Sequence, residues 1–138
     1  MSNEKGNELQ TVMASLPNGL HDAALYEVRV DMMQQRCSLI VGADISSVAN
    51  GGGLPRLRRG CLSVSGITFL EIEPLRMRQL SQAGGYVSID AGVGEKRRPK
   101  GLHRVEVPTG SWELWVFLRE SNSFIQVVAN GVEFEWSE

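Results

Sequence analysis

The sequence predicts a mainly β protein: an antiparallel β-sandwich or a partly open barrel of about eight or nine strands, with a short N-terminal helix. Three observations support this fold class. Apolar and polar residues alternate in many short runs, which is the pattern of strands with one buried face. Turn residues separate these runs at short intervals. The chain also lacks the alternation of strands and long helical segments that indicates a βαβ fold.

The chain has 138 residues, of which 42% are hydrophobic. This length suits one domain with a substantial core, and no shift in composition divides it. We therefore predict a single domain over residues 1–138. The polar segment MSNEKGN, residues 1–7, is expected to be disordered.

The first regular element is predicted to be a helix over residues 8–16. Leu9, Val12, Met13 and Leu16 recur at helical spacing, and a proline follows directly. Strands follow the helix. In YEVRVDM, residues 26–32, the apolar Tyr, Val, Val and Met alternate with charged residues, and MQQR then indicates a turn into a second strand that begins near Cys37. These two strands are predicted to form a hairpin.

The middle of the chain contains three further predicted strands and two loops. The strands are RRGCLSVSG (58–66), ITFLEIE (67–73) and YVSIDAG (86–92), with one helical turn predicted in PLRMRQLSQAGG (74–85). The glycine-rich segment NGGGLP (50–55) and the basic segment around 95–101 are predicted to be loops.

The last third has the strongest strand pattern. Four strands are predicted in LHRVEV (102–107), SWELWVFLR (111–119), SFIQVVA (123–129) and VEFEW (132–136). RESNS is predicted to be a turn, and Asn130–Gly131 is a typical type I′ hairpin signal between the last two strands.

The strand at 111–119 has apolar residues on both faces. Trp112, Leu114, Val116 and Leu118 share one face, whereas Trp115 and Phe117 lie on the other. We expect both faces to be covered. If Trp115 and Phe117 are instead left exposed, they would form a patch suited to a protein partner or a second copy of the chain.

Composition excludes several classes of protein. The formal net charge of −2 argues against a nucleic-acid-binding protein, and no apolar run approaches the length of a membrane span. The first twenty residues do not match a signal peptide, so a cytoplasmic location is expected. Cys37 and Cys61 lie in apolar runs and are predicted to be buried thiols rather than a disulfide. No cofactor is expected.

His21 and Asp22 are the most notable polar pair, because they precede the first strand directly. In a turn, Asp22 could accept hydrogen bonds from nearby N–H groups and His21 could donate to a carbonyl, so that both would only fasten the strand. Alternatively, His21 could act as an acid, a base or a metal ligand, but no metal-ligand spacing connects it with His103, the second histidine.

The remaining candidate sites are weaker. No G-x-S-x-G motif is present, and a reactive Cys61 would depend on Arg59 alone. The loops at 50–60 and 95–101 carry glycines and arginines or lysines that could attract an anion, but neither has a phosphate-loop spacing. We interpret both loops as solvated.

The segment LHDAALYEVRVDM together with the aromatic C-terminal hairpin WVFLRESNSFIQVVANGVEFEW resembles small bacterial domains that begin with a Leu-His-Asp-Ala segment. Some of these domains are assigned as immunity-type proteins of polymorphic toxin systems. The resemblance is carried by the positions Leu20, His21, Asp22, Ala23, Val28, Val30 and Asp31. It implies a compact, β-rich, non-catalytic protein that acts by binding another protein.

Two functions follow as hypotheses. The first is a non-enzymatic protein-binding module, with His21, Asp22, Trp115 and Phe117 as candidate binding residues. Acidic side chains on strand faces would suit a basic partner such as a nuclease, or would only keep the sheet soluble; they are Glu27, Asp31, Glu71, Glu73, Glu133 and Glu135. The second is a small-molecule or metal-binding barrel, either a binding protein or an enzyme, with its site around His21 and Asp22.

Overall fold

The computed structural model describes residues 4–46, 56–82, 84, 86–93 and 98–137, which form eight strands and two short helices. In chain order these are α1 (Glu4–Ser15), β1 (Ala23–Asp31), β2 (Arg36–Asp44), β3 (Leu57–Ser65), β4 (Phe69–Ile72), α2 (Met77–Ser81), β5 (Val87–Val93), β6 (Trp112–Leu118), β7 (Ser123–Ala129) and β8 (Gly131–Trp136). The strands form one antiparallel sheet in the order β4-β7-β6-β5-β1-β2-β3-β8. The predicted mainly β class is confirmed, and so is the hairpin of β1 and β2.

The sheet cannot be flat, because its two ends are connected by short stretches of chain. β3 and β4 lie six strand positions apart, which is about 29 Å in a flat sheet. Only residues 66–68 connect them, and this link can span at most about 14 Å. The sheet must therefore curl until its ends approach each other. Among the described residues no backbone pairing joins β4 to β8, so the sheet is not closed into a barrel.

The hairpin predicted at Asn130–Gly131 is wrong. β7 and β8 flank Asn130 but do not pair with each other; β7 pairs with β4 and β6, and β8 pairs with β3. Both edges of β7 are therefore already occupied, which leaves no edge for β8. The chain instead passes directly into β8, which reaches β3 at the other end of the sheet.

Helix α1 confirms the predicted apolar stripe but begins earlier than expected. Leu9 and Leu16 are buried, and Val12 and Met13 pack against the core. Residues 4–7, predicted to be disordered, belong to the helix, whereas residues 1–3 lie outside the described residues. The Glu8 carboxylate accepts a hydrogen bond from the Val132 backbone N–H of the end strand β8, so α1 covers part of that edge.

A β-bulge at Tyr26 changes which residues of β1 face the core. The register with β2 shifts between Leu25 and Glu27, which leaves Tyr26 as an extra residue. Ala23 and Leu25 are buried before the bulge, and Val28 packs against the core after it. The alternation that was predicted to place Tyr26 with Val28 on one buried face is thus wrong: Tyr26 is exposed.

Residues 102–107 were predicted to be a strand, and this prediction is also wrong. Their sequence alternates as in a strand, but side chains bind the carbonyls of Leu102 and His103: Arg98 donates to both and Gln126 donates to the second. The segment therefore crosses the sheet instead of joining it. The predicted loop at 50–55 lies outside the described residues, as do residues 94–97 of the basic loop.

The core lies inside the curled sheet and is closed on one side by α1. It contains the inward side chains of β2, β3, β6 and β7 together with Cys37, which is buried as predicted. Neither helix among the described residues is long and apolar enough to cross a membrane. The largest fully buried side chains include Leu9, Leu20, Leu39, Leu62, Ile89, Leu114, Ile125 and Gln126.

Candidate functional site

Among the described residues, the outer face of β5, β6 and β7 is covered at one end only. Residues 98–107, here called the arm, cross this face where β6 begins. The arm is held there by Arg98, whose Nε lies 3.2 Å from Oε1 of Glu113 on β6. Gln126 of β7 joins them by donating a 2.7 Å hydrogen bond to Oε2 of Glu113. His103 lies 3.0 Å from the Glu71 carboxylate of β4.

The other end of this face is an open pocket, here called the aromatic pocket. It has a volume of about 610 Å³. Trp115, Phe117 and Phe124 form its aromatic wall, and Pro99 of the arm closes one side. The expectation that both faces of β6 are covered is therefore met at Glu113 but not at Trp115 and Phe117, which are half-buried. The lining residues are His21, Asp90, Ala91, Gly92, Pro99, Trp115, Phe117 and Phe124.

The aromatic wall is built from cross-strand neighbours. Phe117 pairs with Phe124 across β6 and β7, and their ring centroids are 4.9 Å apart. Trp115 meets Phe124 edge to face at 6.4 Å, a preferred arrangement of aromatic rings. Trp115 lies over Gly92 of β5, where a Cβ atom would overlap the indole ring. Glycine at position 92 thus lets the tryptophan lie flat against the sheet.

His21 and Asp22 reach the pocket because the chain turns sharply before β1. Successive turns run from Leu16 to Ala23, and Asp22 has a φ of 56°, in the left-handed region that aspartate tolerates better than most residues. Asn18 anchors these turns by donating hydrogen bonds to the carbonyls of Asp44 and Ser46. The two side chains therefore project over Asp90 of the neighbouring strand β5.

The rim of the pocket is a ring of charged groups that contact one another. His21 Nδ1 lies 2.6 Å from Oδ1 of Asp90, and His21 Nε2 lies 3.3 Å from Oδ2 of Asp22. Arg119, which directly follows β6, donates to Asp90 at 2.6 Å and to Asp22 at 2.7 Å. These four residues are here called the charged rim.

The contacts of the rim change the acidity of its members. Burial favours a higher pKa for Asp90, but the hydrogen bonds from Arg119 and His21 outweigh it and lower the pKa of this carboxyl. The hydrogen bonds from Arg119 to Asp90 and then to Asp22 raise the pKa of the guanidinium. Asp90 and Arg119 are therefore both charged near neutral pH.

The titratable residues of the described pocket lining are His21 and Asp90, which contact each other. This described lining has no hydroxyl or thiol group that could act as a nucleophile. Both ring nitrogens of His21 already face carboxylates, although its side chain is 70% exposed. In the part of the chain that the structure describes, no three His, Cys, Asp or Glu residues are grouped so that they could hold a metal ion.

Three of the four candidate binding residues line the same pocket. His21 is 94 positions from Trp115 and 96 positions from Phe117 along the chain, yet the fold places all three residues in one pocket. Asp22 joins them through Arg119 and His21 rather than as a wall of the pocket. Among the described residues, neither side chain makes the local backbone hydrogen bonds considered above. The His21 side chain contacts Asp90, and the Asp22 side chain contacts His21 and Arg119.

Sequence reasoning missed Asp90, Arg119 and Phe124. A signal was available for Asp90, since it is the single charged residue in the otherwise uncharged strand VSIDAGV. Arg119 follows the most apolar strand directly and Phe124 alternates with buried residues, which are patterns common to many structural residues. Only the pairing of β5, β6 and β7 makes these three residues neighbours.

The acidic residues nominated for a basic partner have different environments. Glu27 pairs with Arg29, Glu71 with His103, and Glu73 accepts a hydrogen bond from the Phe124 N–H. Asp31 accepts one from the Gln34 N–H. Glu133 and Glu135 on β8 are exposed and make no such contact among the described residues.

The cysteines form no disulfide. Cys37 is buried, and burial raises the pKa of its thiol. Cys61 is only half-buried, contrary to the prediction that both thiols are buried, because it lies on the outer face of β3 beside Ser63. Arg59, considered above as a possible activator of Cys61, instead stacks on the Tyr26 ring at 4.3 Å.

Comparison with known proteins identifies no family. No family model matches the chain, and no curated protein matches it. Among solved structures it is similar to an uncharacterized protein from Neisseria gonorrhoeae, with a TM-score of 0.42 and 11% sequence identity. This similarity covers 83% of this chain and 91% of the other.

Proposed function

We propose that the protein is a non-enzymatic binding module, and that the aromatic pocket holds an apolar side chain of a partner protein. The observation that carries this proposal is an open cavity of about 610 Å³ whose wall is aromatic and whose charged rim is already paired within itself. Aromatic pockets commonly receive the anchor residue of a protein interface. Paired charges around them add specificity, because a partner must match their positions.

The internal pairing of the rim favours binding over proton transfer. Asp90 and Arg119 neutralise each other, and the turn that carries His21 is fastened through Asp90 to β5. Such a rim is positioned before a partner arrives, which reduces the entropy lost on binding. We further propose that the partner is a toxin, because the sequence resembles immunity-type domains.

Site-specific crosslinking tests the proposal directly. Phe117 is replaced with the photo-crosslinker p-benzoylphenylalanine, which keeps an aromatic ring at the pocket wall. The matched control carries the same group at Met77, which is exposed on α2 and does not line the pocket. Both variants are produced in cells of the source organism, irradiated, and their adducts identified by mass spectrometry.

We expect the variant with the crosslinker at position 117 to form one defined protein adduct. The control with the crosslinker at position 77 should not form that adduct. An adduct with a second copy of this chain would identify self-association, and a toxin encoded beside the gene would support the immunity role. The absence of any protein adduct at position 117, or the same adducts at both positions, would refute the proposal. A captured protein that is not a toxin would refute the immunity role alone.

A small-molecule site is the second candidate function. The pocket volume is within the range of about 300–1,000 Å³ typical of small-ligand sites, and His21 with Asp90 borders it. Native mass spectrometry of the gently purified protein distinguishes the candidates. A bound small molecule that is lost in Trp115→Ala would favour this second function, because that variant removes the largest ring of the wall.

For the architecture, we propose the partly open barrel rather than the sandwich. The short links between β3 and β4 and between β7 and β8 support this choice, because each requires opposite ends of one sheet to approach.

A further inference from the structure

A second cavity lies on the other side of the arm, and its wall is unlike that of the aromatic pocket. It has a volume of about 640 Å³ and lies between Gln10 of α1, the neighbouring ends of β5 and β6, and the arm. Pro99 of the arm borders both cavities. The proposed function makes no use of this second cavity, here called the arm cavity.

The charged groups of the arm cavity are mostly cationic. Arg98, Lys100 and Arg104 line it, and Glu113 is the acidic residue of its described lining. Glu113 is already bound to Arg98, the cation next to it. Lys100 and Arg104 are exposed and have no acidic partner among the described residues. The described lining of the cavity therefore has an excess of positive charge, although the whole chain has a formal net charge of −2.

Apolar side chains form much of the rest of this wall, beside Gln10 and Ser111. Val93 and Trp112 come from the ends of β5 and β6, and Leu102, Val105 and Val107 come from the arm. Val107 is 42% exposed, so part of this apolar surface is accessible from solvent. Cations beside an accessible apolar wall match a molecule that has both an anionic head and an apolar body.

Among the described residues, the backbone of the arm pairs with no strand of the sheet. Within the described residues, positions 102–107 make no backbone–backbone hydrogen bond outside regular elements, and side chains bind only the carbonyls of Leu102 and His103. The arm, which carries Lys100 and Arg104, is therefore held by side chains rather than by strand pairing.

We propose that the arm cavity binds a small amphipathic anion, such as a molecule with a carboxylate head and an aliphatic chain. Lys100 and Arg104 contact the head, and Leu102, Val105 and Trp112 contact the chain. The apolar part supplies affinity through buried area, while the two cations select the sign of the head group.

The test measures binding of decanoate by isothermal titration calorimetry. Decyltrimethylammonium, with the same chain and opposite charge, is the ligand control, and inorganic phosphate tests the anion without a chain. The protein variants are Lys100→Gln, Arg104→Gln and the double variant. Arg78→Gln is the matched control, because Arg78 is exposed on α2 and does not line the cavity.

We expect saturable decanoate binding that weakens about fivefold in each single variant, which corresponds to about 1 kcal/mol, and further in the double variant. Arg78→Gln should leave the dissociation constant unchanged, and decyltrimethylammonium and phosphate should bind far more weakly. These variants replace exposed side chains, so circular dichroism should show an unchanged fold. The proposal is overturned by the absence of saturable decanoate binding, by equal binding of either control ligand, or by affinity that survives the double variant.

Discussion

Replacing Asp90 with asparagine removes the carboxylate that accepts hydrogen bonds from both His21 and Arg119. A hydrogen bond to a charged group contributes about 1.5–3 kcal/mol when buried, and an exposed ion pair about 0.2–1 kcal/mol. The side chains of Asp90 and Arg119 are 33% and 38% exposed, which places the pair between these limits. We expect Asp90→Asn to lower the free energy of unfolding by about 1–1.5 kcal/mol at neutral pH, after this discount for solvent screening.

The loss should also depend on pH in a defined direction. The pKa of Asp90 is lower in the folded protein than the value of about 3.9 expected in the unfolded chain. Its stabilisation is therefore present above that unfolded value and is lost as the pH falls through the lower, folded value. The difference between wild type and Asp90→Asn should persist at about pH 5 and shrink as the pH falls below about 3.9.

Urea denaturation followed by tryptophan fluorescence at several pH values measures this difference. Glu135→Gln is a suitable control, since it also removes a carboxylate, but an exposed one with no contact among the described residues. If Asp90→Asn is as stable as the wild type at pH 7, the contacts of Asp90 in the charged rim do not stabilise the folded protein. A stability loss that stays constant down to the lowest pH would contradict the expected pH dependence.

Three further predictions concern the support of the site and the core. Glu113→Gln should lower the free energy of unfolding, measured by urea denaturation, by about 2–4 kcal/mol. The reason is that this change leaves the largely buried Arg98 without its carboxylate partner. A loss of only about 0.2–1 kcal/mol, as for an exposed ion pair, would contradict this prediction. Leu114→Ala should lower the free energy of unfolding by about 2–5 kcal/mol, because it creates a cavity in the core. A urea midpoint equal to that of the wild type would contradict the core position of Leu114. A thiol reagent should modify Cys61 in the native protein and Cys37 only after unfolding, because Cys37 is buried and has a raised pKa; equal rates under native conditions would oppose this.

The predictable parts of the fold are those decided by local patterns. The stripe of Leu9, Val12, Met13 and Leu16 predicted α1, because a helix repeats its buried face every three to four residues. The alternation in β6 predicted correctly that Leu114 and Val116 face the core. Such patterns depend on spacing along the chain, which the sequence contains in full.

The errors arose where distant strands compete. Asn130–Gly131 has strong hairpin chemistry, but β7 already has partners on both edges, so β8 pairs with β3 instead. The arm alternates like a strand, but its carbonyls are bound by Arg98 and Gln126. Nothing in either segment reports which partners the rest of the chain will offer.

By itself, the sequence determined a mainly β protein with an N-terminal helix, and it singled out His21, Asp22, Trp115 and Phe117 as candidates. The tertiary structure decided that three of these line one pocket and that Asp90 and Arg119 complete its rim. The physical reason is that alternation fixes the face on which a side chain lies, whereas strand order and register fix its neighbours. Those depend on the free energy of the whole sheet, which no short segment contains.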